Sequence, residues 1–73
     1  MSEITPYENL ANAIILQAAK DYRAARRKLK RKSDNTLAQS EIDSIERFFR
    51  SGWYKHLTDV DGELLIRKLR EED

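Results

Sequence analysis

Between positions 20 and 32 the chain carries eight basic side chains, Lys20, Arg23, Arg26, Arg27, Lys28, Lys30, Arg31 and Lys32, against one acid, Asp21. The net charge is +7 over that stretch, −2 over residues 1–19 and −4 over residues 33–73, so the total of +1 conceals a basic block. A few cations at the C-terminal end of a helix are expected from the helix dipole, and Lys30, Arg31 and Lys32 fit that account. Eight do not fit it, because like charges three and four residues apart repel by a few tenths of a kcal/mol per pair. Three readings stay open. Lys20, Arg23, Arg26, Arg27, Lys30, Arg31 and Lys32 track the phosphates of DNA or RNA; or the block is a solvated face balanced by Glu41, Asp43 and Glu46 further along; or it docks on an acidic protein surface. No second short helix is placed to read base edges as a helix-turn-helix requires, so the pattern speaks of phosphates and not of sequence.

Phe48-Phe49-Arg50-Ser51-Gly52-Trp53-Tyr54 gathers four of the six Phe, Trp and Tyr residues. Aromatics interleaved with arginine can stack on bases. Phe49 and Trp53, four apart, are read as core anchors, which leaves Phe48 and Tyr54 as the candidates for an exposed aromatic contact. Asp59-Val60-Asp61-Gly62-Glu63 looks like a calcium loop, but glycine comes fourth where that loop needs it sixth, and helix-start capping explains the same residues. The one histidine, His56, has no nucleophile placed to partner it, and no glycine loop is present to cradle a phosphate. With no cysteine, thiolate chemistry and Cys-ligated metals are excluded. The expectation is a protein that is not an enzyme, with no metal site and no cofactor.

These residues need a scaffold, and 73 residues allow one small domain. Leu, Ile, Val and Phe together supply 17 of the 73 residues, enough for a core at so low a net charge. Gly and Pro number three, too few for the turns of a sheet protein. The fold class is therefore all-α.

Thr5-Pro6-Tyr7-Glu8 has the order of a capping box with proline at the first helical position. From there Tyr7, Leu10, Ile14, Ala18, Tyr22, Ala25 and Leu29 recur at steps of three and four, predicting a long helix over 6–31. Ser33-Asp34-Asn35-Thr36 reads as a turn and cap, and Ala38, Ile42, Ile45 and Phe49 carry a second helix over 36–51, closed by a left-handed Gly52. Trp53 to Leu57 forms a short helical turn over 53–57. Val60, Leu64, Leu65 and Leu69 carry a third helix over 59–71, capped by Thr58 or Asp59. Residues 1–73 thus read as a single helical domain, a small three-helix bundle with a long N-terminal helix and an extra short turn.

Leu10 to Ala19 is apolar nearly all round, interrupted only by Asn12 and Gln17. A strip left uncovered there pairs two copies about a two-fold axis, so a homodimer is a candidate assembly. The same run is far short of the ~20 residues that span a membrane, and no signal peptide is read. The expected location is the cytoplasm.

Tyr7-Glu8-Asn9-Leu10-Ala11-Asn12-Ala13-Ile14, Asp21-Tyr22-Arg23, Ile45-Glu46-Arg47-Phe48-Phe49-Arg50-Ser51 and Leu57-Thr58-Asp59-Val60-Asp61-Gly62-Glu63-Leu64-Leu65-Ile66 resemble a group of small uncharacterised proteins encoded in phages, prophages and mobile elements of Firmicutes. The likeness spans nearly the whole chain. It implies a bacterial host cytoplasm and a setting in which small non-enzymatic proteins bind nucleic acid or block a host defence complex. It carries no site residues across. The expected function is an accessory protein contacting nucleic acid through the basic helix. The alternative is a protein-interaction module, such as an anti-CRISPR-type inhibitor of a bacterial defence complex, acting on a host protein or ribonucleoprotein.

Overall fold

The computed structural model of the chain describes residues 6–72. Helix α1 spans Pro6–Arg31 without a break, since neither glycine nor proline occurs between Tyr7 and Lys32. The cap read at Thr5 lies outside the described residues. At 1.5 Å per residue α1 is about 39 Å long, and it sets the long dimension of the 45 × 25 × 19 Å molecule.

The Asn35 side chain accepts from Ala38 N at 3.0 Å and starts α2 (Thr36–Phe49), which folds back antiparallel along α1. Ala19 and Ala25 of α1 and Ala38 of α2 are buried; their small side chains let the two helices approach closely.

α2 ends two residues earlier than its periodicity suggests, and Gly52 does not close it. Arg50 stays right-handed at φ −96° and ψ 0°, with its N–H bonded to the carbonyls of Glu46 and Arg47. Among the described residues no glycine has a positive φ. Ser51 makes the joint instead. Its hydroxyl donates to the Phe48 carbonyl at 2.6 Å and accepts from Tyr54 N at 3.1 Å, closing α2 and opening α3 (Gly52–Leu57).

α4 (Gly62–Glu71) begins three residues later than expected and is capped neither by Thr58 nor by Asp59. Thr58 is extended, and its hydroxyl is already used, accepting from Val60 N at 3.2 Å. Asp61 caps in their place by accepting from Glu63 N at 3.0 Å. Glycine is required next, because a Cβ on Gly62 would lie 2.0 Å from the Phe49 carbonyl oxygen. α4 then runs alongside α1, bringing Arg70 and Glu72 to α2 and the middle of α1.

The chain is therefore all-α: α1, α2 and α4 form a three-helix bundle, with α3 as the extra turn. Its core joins Ala19, Tyr22 and Ala25 to Ile42, Phe49, Tyr54, Ile66 and Leu69. Phe49 is ringed edge-on by Tyr22 at 6.3 Å and Tyr54 at 5.7 Å. Burying Phe49, Ile66 and Leu69 contributes roughly 1.5–3 kcal/mol each relative to exposure. The N-terminal half of α1 is less well covered, with Leu10 and Leu16 60% and 62% exposed. No described helix is long and apolar enough to cross a membrane.

Candidate nucleic-acid interface

Tyr22 and Ala25 turn one face of α1 fully inward. With 3.6 residues per turn, Lys20, Arg27 and Arg31 then fall on the opposite face, spanning about 16 Å of helix axis. All three are exposed, as are Lys28 and Lys32 on the flank. None of these five forms an ion pair among the described residues. They are a row of cations without internal neutralisation.

The other basic residues turn toward α4. Arg23 grips both oxygens of Glu72, Nε to Oε1 at 2.6 Å and Nη2 to Oε2 at 3.0 Å. The contact keeps the Arg23 guanidinium firmly charged and holds the Glu72 carboxyl below its ordinary range. Arg26 donates from Nη2 to the Arg70 carbonyl at 3.2 Å. Arg23, Arg26 and Glu72, together with Arg27, Lys30 and Leu69, line a cleft of about 280 Å³ between α1 and α4. The expected basic residues thus form two adjoining parts, an outward row and a cleft that already holds a carboxylate.

The neutralisation expected from α2 does not occur. Asp43 accepts from Gln39 Nε2 at 2.9 Å, within its own helix, and Glu41 makes no ion pair among the described residues. Glu46 points the other way, into the bundle, and is only 8% exposed. It accepts from the Tyr22 hydroxyl at 2.5 Å and from Arg70 Nη2 at 2.8 and 2.9 Å, with Arg50 Nη1 at 3.5 Å. Burial pushes the Glu46 carboxyl up, but the Tyr22 hydroxyl and the two guanidinium groups more than reverse this, leaving it below the ordinary 4.5. The signal for this hub was available: Glu46 lies four residues after Ile42 and three before Phe49, on the apolar stripe of α2, where a charge needs a partner.

The aromatic expectation is also corrected. Tyr54 is 1% exposed and cannot stack on a base, while Trp53, read as a core anchor, is 58% exposed. The break at Arg50 and Ser51 shifts the register by one residue, so Tyr54 and not Trp53 follows Phe49 into the core. Phe48 is half-buried, its ring 5.6 Å from Phe49, 5.6 Å from Trp53 and 5.8 Å from Tyr54. Trp53 and Phe48 edge an apolar groove of about 470 Å³ between α1 and α2, floored by Ala13, Ile14, Ala18 and Ile45. Among the described residues, no group of three or more His, Cys, Asp or Glu side chains could hold a metal ion.

No known protein family, curated protein or solved structure matches the chain.

Proposed function

We propose that the protein is a small accessory protein that binds the phosphate backbone of nucleic acid, without reading sequence, along the outward face of α1. The observation that carries this reading is the exposed row Lys20, Arg27 and Arg31, flanked by Lys28 and Lys32, with no ion pair among the described residues. A face balanced by its own acids would place carboxylates within about 4 Å of these heads; on α2, Asp43 takes Gln39, Glu46 takes Tyr22 and Arg70, and Glu41 forms no ion pair among the described residues. Repulsion within the row costs helix stability. A polyanion removes that cost and gains entropy from released counterions. The resemblance to phage- and mobile-element-encoded proteins is the ground for placing the activity in a bacterial host cell.

The test is fluorescence anisotropy of a labelled 12-base-pair duplex and a 12-nucleotide RNA across a salt series. Neutralising about three phosphates gives a log–log salt slope near −2.7 on duplex DNA. Arg27→Glu with Arg31→Glu abolishes the binding while leaving the thermal transition in place. Absence of binding by the natural protein at low salt overturns the reading.

One observation favours a second reading, a protein-interaction module such as an inhibitor of a bacterial defence complex. Trp53 stands 58% exposed beside an apolar groove, and tryptophan at the edge of a pocket is a frequent binding anchor. Trp53→Lys separates the readings. It leaves oligonucleotide affinity within twofold if the row is the site, and abolishes retention of a nuclease-resistant protein partner if the groove is.

A further inference from the structure

We infer that the cleft between α1 and α4 is a seat for one phosphodiester group and that Glu72 is its resident competitor. The inference rests on the nucleic-acid reading above and assigns that site a second part and an internal brake.

The grip on Glu72 carries the inference. Arg23 presents one edge of its guanidinium to both carboxylate oxygens, at 2.6 and 3.0 Å. The same fork meets two oxygens of a phosphate, and such bidentate geometry is what distinguishes arginine from lysine in anion recognition. Glu72 therefore marks where a pair of anionic oxygens sits, in a cleft that Arg26, Arg27 and Lys30 also line. Arg27 belongs to both the cleft and the outward row. A strand lying along the row thus passes the mouth of the cleft.

Glu72 is also built to let go. It is the C-cap of α4, past the last helical residue, and its backbone N–H bonds to the Leu69 carbonyl at 3.3 Å, a bond that does not involve its side chain. The two side chains of the pair are 42% and 46% exposed, and ion pairs in that setting are weak and screened by salt. The C-terminal end of α4 turns its negative pole toward the cleft. A free anion is therefore poorly held, and a phosphate enters as part of a strand that also engages Arg27 and Arg31.

The experiment is the same anisotropy titration at low salt with the labelled 12-base-pair duplex. It compares the natural protein, Glu72→Gln, Glu71→Gln, Arg23→Gln and the Arg23→Gln/Glu72→Gln double variant. Glu71 is exposed and forms no ion pair among the described residues, so Glu71→Gln makes the same change of net charge without opening the seat. Glu72→Gln tightens binding by about two- to fivefold, clearly more than Glu71→Gln. In the Arg23→Gln background that extra gain disappears, because the partner Glu72 competes for is gone. Equal gains from the two glutamine variants overturn the seat and leave the nucleic-acid reading standing. No binding by any of the five proteins overturns that reading, and the seat with it.

Discussion

Two groups of arginine lie within this small bundle and behave in opposite ways. Around Glu46, Arg70 and Arg50 converge on a carboxylate that is nearly buried and also takes the Tyr22 hydroxyl. Along the outward face of α1, Arg27 and Arg31 meet no carboxylate among the described residues, although the chain holds 13 acids for its 14 basic residues. Composition is nearly balanced, and the balance is not local. Glu46, Glu63 and Glu72 pair with arginines across the joints between helices, and among the described residues no carboxylate pairs with the far face of α1. A near-zero net charge therefore says little about the field a partner meets.

The sharpest way to break the comparison is to empty the first group. Glu46→Ala leaves Arg70 and the buried Tyr22 hydroxyl without their shared acceptor and removes a tie between α1, α2 and α4. We expect a loss of about 2–3 kcal/mol in urea unfolding, below the range for fully buried pairs because the arginines are half exposed. The pH dependence has a definite sign. Since the folded carboxyl titrates below 4.5, its contribution is complete above the unfolded value and is lost as pH falls through the folded one. The natural protein should lose stability more steeply than Glu46→Gln below pH 4.5. Equal acid profiles for the two contradict the role given to Glu46.

The helical periods were legible because each rests on local spacing. Apolar steps of three and four from Leu10 to Leu29 and from Ala38 to Phe49 require no knowledge of the partner helix. The joints were not legible, because each depends on a single hydrogen bond or a single close approach. Ser51 uses its hydroxyl in both directions, and Gly62 is needed only because the Phe49 carbonyl passes so near. One residue of register at Arg50 exchanged the fates of Trp53 and Tyr54. The basic block was legible as charge. Its division into an outward row and a cleft was not, since Glu72 lies 49 positions from Arg23.

A smaller effect separates two buried tyrosines. Tyr22 donates to Glu46, whereas the Tyr54 hydroxyl is buried with no hydrogen-bond partner among the described residues, and burial with Asp61 nearby pushes its pKa up. Removing a hydroxyl that serves a charged acceptor costs about 1–2 kcal/mol, while removing an unserved one is neutral or stabilising. Tyr22→Phe should lower the urea midpoint, and Tyr54→Phe should leave it unchanged or raise it. Equal losses would mean that the Tyr54 hydroxyl is satisfied in solution.

The smallest expected change belongs to the second group. Arg27 and Arg31 are four residues apart on α1, one turn of like charge that pairs with no carboxylate among the described residues. If the row serves only a partner, then in the free protein it is a slight burden. Arg27→Gln should leave thermal stability unchanged or raise it by a few tenths of a kcal/mol, with the gain shrinking as salt screens the repulsion. The natural protein should in turn be stabilised by a short duplex as ligand occupancy demands, and Arg27→Gln less so. A loss of stability above about 1 kcal/mol in the free variant would show that Arg27 supports the bundle itself, and the contrast between the two arginine groups would no longer divide structure from recognition.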